Sequence, residues 1–133
     1  MARLDRRLAQ AEAALATLEE VVGQGEHSMI ERDGAVLRLI YTFEAVWKAC
    51  QAALAEHDQT EVGSPVMAIR AARRIGWLSD EDAQAATGIA KDRNLAVHMY
   101  ERKIGEEVAA RLPAHAALLR RWLDALTRAA ADH

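Results

Sequence analysis

Apolar residues recur at helical spacing along nearly the whole chain. Leu4, Leu8, Ala11, Leu15, Leu18 and Val22 follow one another at alternating steps of four and three, so residues 2–22 present one apolar stripe on a helix. Gly23 and Gly25 end that segment. Val36, Ile40, Phe43, Trp47, Cys50 and Leu54 continue the pattern and predict a second helix over about 29–56, the longest and most apolar, followed by a polar turn at 57–63. Ser64-Pro65 suits an N-cap followed by the first position of a third helix, with Met67, Ala68, Ala71 and Ile75 inward and Gly76 as its stop. Ser79, followed by Asp80, Glu81 and Asp82, opens a fourth helix that carries the chain as far as His98, with a break between His98 and Arg102. Pro113 is placed at the start of a last helix containing Leu118, Leu119, Trp122 and Leu126. Without a repeat or a linker, the pattern predicts a single all-α domain over 1–133, an antiparallel up-and-down bundle of four to five helices.

Composition narrows the class. The apolar share is 51%, mostly alanine and leucine, with 28% charged residues and 5% aromatic ones, as in soluble globular helical proteins. A lone cysteine, Cys50, cannot form an internal disulfide and points to a reducing compartment, hence the cytoplasm. Charge at Arg3, Asp5, Arg6 and Arg7 argues against a signal peptide, and no apolar run reaches membrane-spanning length. The net charge of −3 excludes a general nucleic-acid coat but leaves room for a local basic groove. Two basic clusters qualify: Arg70, Arg73 and Arg74, and then Lys91, Arg93, Arg102 and Lys103.

The second cluster surrounds the chemically richest segment, Arg93-Asn94-Leu95-Ala96-Val97-His98-Met99-Tyr100. A guanidinium matches phosphate, an imidazole exchanges protons near neutral pH, and a phenol is a hydroxyl open to modification. With 14 arginines and 5 histidines in 133 residues, about 0.5 Arg-x4-His matches arise by chance, and Arg128 with His133 is one given no meaning. Requiring tyrosine at the last position lowers the expectation to about 0.008. On a regular helix Arg93 and Tyr100 stack nearly in line, Asn94 and His98 form the next row, and Leu95 and Met99 face the core. His98 can then serve as acid or base and Arg93 can steady phosphoryl charge, with Asn94, Arg70 and Arg102 as phosphate-binding support. One histidine does half of the proton work, so a symmetric dimer with two motifs across its axis is expected. The competing account of the same residues is structural: Arg93 paired with Asp92 or Glu101, His98 at an interface, Tyr100 in packing.

The motif in its context resembles the HEPN superfamily, in the branch of nucleotidyltransferase substrate-binding proteins. The resemblance is carried by Glu31-Arg32-Asp33-Gly34-Ala35, Phe43-Glu44-Ala45-Val46-Trp47-Lys48, Gly63-Ser64-Pro65 with Ala68-Ile69-Arg70, and Asp92-Arg93-Asn94 through His98-Met99-Tyr100. It implies a helical-bundle homodimer, able to assemble further, whose motifs meet at a cleft. It also implies a minimal nucleotidyltransferase partner encoded nearby. In such toxin–antitoxin pairs the HEPN protein is a metal-independent ribonuclease acting on RNA, and the partner silences it by adding AMP to the motif tyrosine. Matched by position, Arg93 and His98 are the catalytic pair, Asn94 a supporting group and Tyr100 the modified residue. Met99 and Glu101 depart from the usual threonine and aspartate. The alternative is a non-catalytic subunit holding a nucleotide or acceptor for the transferase.

The remaining candidates are weaker. Trp47 and Trp122 lie on apolar stripes and belong to the core, with Trp77 open. Glu44 and Lys48, four apart, suit a helix-face ion pair. His27, His57 and His115 have no metal-ligand spacing and Cys50 has no neighbouring ligand, so neither metal nor cofactor is expected.

Overall fold

A computed structural model describes residues 2–25 and 27–132. Five α-helices follow in order: α1 (Ala2–Val22), α2 (Met29–His57), α3 (Pro65–Ile75), α4 (Asp80–Leu95) and α5 (Arg102–Ala131), with a 3-10 turn at Ala96–His98 between the last two. Among the described residues there is no strand. The four long helices alternate in direction. Asp82 meets Arg121 and Asp92 meets Arg111, so α4 and α5 run oppositely. Arg32 lies over Gly105 and Cys50 lies beside Trp122, so α2 and α5 run in the same sense. The short α3 is inserted beside the C-terminal half of α2, where Cys50 Sγ is 3.9 Å from the Ala68 carbonyl. No helix among the described residues is long and apolar enough to cross a membrane.

The stripes read from the sequence become the core. Leu15, Leu18, Phe43, Leu54 and Trp122 are fully enclosed, while Leu8, Val22 and Ile40 sit at its margin. Three serines start helices as side-chain caps. Ser64 accepts from the Met67 amide (3.2 Å) and Ser79 from that of Asp82 (3.0 Å). Ser28 forms a reciprocal box with Glu31 at the start of α2. Each cap is worth about 1 kcal/mol. Gly76 closes α3 at φ +90°, a left-handed conformation open to glycine at little cost.

The last helix departs from expectation. It begins at Arg102, and Pro113 lies inside it rather than at its start. Proline removes one amide donor, but Pro113 is on the exposed face, where the unbonded carbonyl of the preceding turn meets water. On the opposite face Val108, Leu112, Ala116 and Leu119 are buried and carry the helix through. Arg120 adds a cross-brace from α5 to Glu12 (2.8 Å) and Glu19 (2.7 Å) of α1.

The end of α4 is fixed by a buried carboxylate. Asp92, with its side chain 4% exposed, accepts from Arg111 Nε (2.8 Å) and Nη2 (2.7 Å), and its Oδ2 lies 2.7 Å from His115 Nε2. Desolvation is the largest single influence on this carboxyl and raises its pKa. The hydrogen bonds from Arg111 and His115, with the charge of Arg111, together outweigh it and hold the group below the ordinary carboxylate range. A carboxyl lowered on folding stabilises the protein fully above its unfolded pKa of about 3.9, and that stabilisation is lost as pH falls through the lower folded value. Asp92→Asn is expected to cost about 2 kcal/mol at neutral pH, because it replaces the charged acceptor of two hydrogen bonds from Arg111 with a neutral amide. Urea midpoints measured from neutral to strongly acidic pH check this. The gap between wild type and variant narrows in acid; a gap independent of pH contradicts the ion-pair account.

Candidate functional site

Asp92 faces α5, and one residue further along α4 the side chain of Arg93 turns about 100° toward α2. There Arg93 Nη1 donates to Glu44 Oε1 at 2.8 Å, and Glu44 Oε2 accepts from the Trp47 indole at 3.1 Å. The guanidinium carbon stands 5.7 Å from the centre of the Phe43 ring. Arg93 is thus half-buried and held by its carboxylate partner. Neither Asp92 nor Glu101 is its partner, and Glu44 bonds to Arg93 and Trp47 rather than to Lys48. The carboxylate comes from 49 residues away, outside the reach of any helix-face spacing rule.

Regular helix ends at Leu95, earlier than the sequence pattern suggests. The chain tightens into the 3-10 turn, with the Met99 amide donating to Ala96 (3.3 Å) and that of Glu101 to His98 (3.0 Å). Buried Met99 and half-buried Leu95 anchor it, as expected of both. The polar groups are rearranged as a result. Arg93 and Asn94 remain on α4, whereas His98 ends the turn and Tyr100 follows it. The helical row joining Arg93 to Tyr100 does not form, because three residues per turn rotate the later side chains away from the earlier ones. His98 and Tyr100 instead become neighbours, with ring centroids 6.3 Å apart. Asn94 and His98 are exposed, and Tyr100 is 79% exposed. The motif therefore lies on open surface, with one fixed cation and two accessible groups that can exchange or accept a substituent.

The proposed supporting residues separate. Arg102 begins α5 and donates to Glu106 at 2.9 Å, and both line a cavity beyond the motif. Arg70 lies in the groove between α3 and α4 with Arg73 and Asp80. Arg73 is paired with Asp80 (2.7 Å) and Arg74 with Asp58 (3.0 Å), so that cluster is largely engaged in holding α3 in place. His133, of the second Arg-x4-His match, lies outside the described residues. Trp47 and Trp122 are buried and Trp77 is half-buried. Burial pushes the Cys50 thiol up to about 12, an effect the Trp122 indole only partly offsets, so it is no nucleophile at neutral pH. No group of three or more His, Cys, Asp or Glu among the described residues is arranged to hold a metal ion. Asp92, Arg111 and His115 shape the site without having been singled out for it, whereas Glu44 was noted for a different partner, Lys48. The one local sign was that Arg111 and His115 share a helix face four residues apart.

Residues 6–128 match the family described as nucleotidyltransferase substrate binding protein like. The crystal structure of ttk003001694, a protein of Thermus thermophilus, superimposes with a TM-score of 0.84 at 46% sequence identity, covering 87% of this chain and 98% of that one. No curated protein sequence matches. With the family pattern spanning the bundle from α1 to α5 and the whole Arg93–Tyr100 segment within it, this chain belongs to the nucleotidyltransferase substrate-binding-protein-like family.

Proposed function

We propose that the protein is a HEPN-type endoribonuclease toxin that cleaves RNA without a metal in the cytoplasm and is silenced when a partner nucleotidyltransferase adenylylates Tyr100. The observation that supports this is a held cation and an exposed imidazole within one motif: Arg93 is bonded to Glu44 at 2.8 Å, and His98 lies beside Tyr100 at the end of the 3-10 turn. Arg93 binds the scissile phosphate and steadies the charge that builds on it, with Asn94 as an additional donor. His98 takes the proton from the ribose 2′-hydroxyl, whose oxygen then attacks the neighbouring phosphorus. The departing 5′-oxygen takes a proton from His98 of a second copy. The products are a 2′,3′-cyclic phosphate end and a 5′-hydroxyl end.

An exposed apolar stripe offers the second copy a seat. Ile30, Leu37 and Tyr41 are 84%, 46% and 59% exposed and form one stripe on α2 that leads to Glu44. A twofold axis along this stripe brings two motifs to one cleft and buries apolar surface otherwise left in water. Silencing follows from charge and bulk. The Tyr100 oxygen attacks the α-phosphorus of ATP held by the partner, pyrophosphate leaves, and the added AMP places a negative charge beside the phosphate site.

A second reading has one observation in its favour. Glu44 already neutralises part of the charge on Arg93, which suits holding a nucleotide or acceptor for the transferase better than cutting RNA.

His98→Ala and Arg93→Ala are each expected to lower cleavage of single-stranded or structured RNA by at least about 100-fold, with helix content by circular dichroism unchanged. Wild type that cuts no RNA and does not arrest growth, yet binds nucleotide in an Arg93-dependent way, favours the second reading. Co-expression with the adjacent nucleotidyltransferase is expected to add AMP to Tyr100, read by mass spectrometry. Tyr100→Phe is expected to keep cleaving but escape silencing; an unmodified wild-type tyrosine removes that part of the proposal.

A further inference from the structure

Beyond the motif, a cavity of about 540 Å³ opens where the α1–α2 connection meets the start of α5. Its walls are Gly25 and His27, Met29 and Arg32 of α2, and Arg102, Glu106, Ala109 and Ala110 of α5. The Arg32 side chain is 12% exposed, and its guanidinium lies flat over Gly105. A Cβ at Gly105 would stand 2.6 Å from Nη2 and 2.8 Å from Cζ. The absence of a side chain at Gly105 is therefore what admits the cation, although glycine within a helix costs stability relative to alanine. Having been brought inside, the guanidinium is poorly satisfied. Its partner is Asp33 Oδ1 at 3.4 Å, a half-exposed carboxylate at the limit of hydrogen bonding, and its Nε is buried with no acceptor. A guanidinium carries five donors in a planar fork, and burying such donors unpaired is costly.

Among the described wall residues, basic side chains outnumber carboxylates. The first turn of α5 carries Arg102 and Lys103, no acidic residue and no side-chain cap, an arrangement that opposes the helix dipole. His27 adds a further basic group. Glu106 is the single carboxylate among the described wall residues and is already bonded to Arg102 at 2.9 Å. Met29, Ala109 and Ala110 supply an apolar side.

We infer that this cavity binds a phosphate-bearing small molecule of about nucleotide size, with Arg32 gripping the phosphate and the apolar wall covering the organic body. A phosphate gives the guanidinium a stronger acceptor than Asp33 at 3.4 Å and sets negative charge beside Arg102. The volume lies within the usual range of small-molecule sites, about 300–1,000 Å³, and well above what a bare anion fills. The site is separate from Arg93 and His98, so it stands whether or not the protein cuts RNA.

Calorimetric titration with AMP, adenosine and inorganic phosphate tests it. Wild type is expected to bind AMP, with adenosine and inorganic phosphate each at least ten-fold weaker. Arg32→Gln is expected to lose at least ten-fold in AMP affinity. Gly105→Ala is the sharper variant: only the flexible tip of Arg32 has to move, so AMP affinity falls at least ten-fold while the melting temperature holds or rises. His98→Ala is expected to bind AMP like wild type. The inference is overturned if wild type binds none of the three or if adenosine or inorganic phosphate binds as tightly as AMP. It is equally overturned if both Arg32→Gln and Gly105→Ala keep full affinity, if Gly105→Ala lowers the melting temperature by several degrees (which makes Arg32 a structural strut), or if His98→Ala abolishes binding.

Discussion

The carboxylate of Asp92 is the constraint on which the rest of this structure depends. It is nearly sealed from water, it accepts a two-point grip from Arg111, and His115 completes its shell. With Asp92 buried and Arg111 still reaching water, the pair adds little net free energy when intact, and its loss leaves a buried polar group poorly answered. What it supplies is position. With Asp92 turned to α5, Arg93 has one direction left, toward α2, and meets Glu44 there. The end of α4 is thus held from both sides just before the chain leaves regular helix, and the tight turn starts from a defined place.

The two arginines of greatest interest contrast in how they are satisfied. Arg93 has its carboxylate and its aromatic neighbour, which together hold the side chain in place. Arg32 has one weak partner among the described residues, Asp33 at 3.4 Å, yet it has been drawn in over a glycine. Similar chemistry therefore appears at both ends of the 99–102 connection, once on open surface and once in a cavity.

Much of this was written into local sequence. The stripes on α1 and α2 became core because a period of 3.6 residues has a single face to bury. Ser64, Ser79 and Gly76 marked boundaries because capping is settled within a few residues of the helix end. The same local logic misplaced the start of α5: Pro113 does break the hydrogen-bond ladder, but packing of distant helices against Val108, Leu112 and Ala116 carries the backbone past it. In the motif, residue types and spacing were visible and their arrangement was not. His98 and Tyr100 are neighbours because helix gives way to a 3-10 turn at Ala96, and Arg93 is aimed by Glu44, 49 residues earlier. Those facts belong to tertiary contact, which a single sequence encodes without displaying.

Cys50 is the one sulfur nucleophile in the chain, and it lies wholly enclosed beside Trp122 with a proton it does not readily release. A maleimide or disulfide reagent added to the intact protein has nothing to attack until the helices part. Its labelling rate therefore counts excursions in which the bundle comes open, an internal clock that needs no engineered probe.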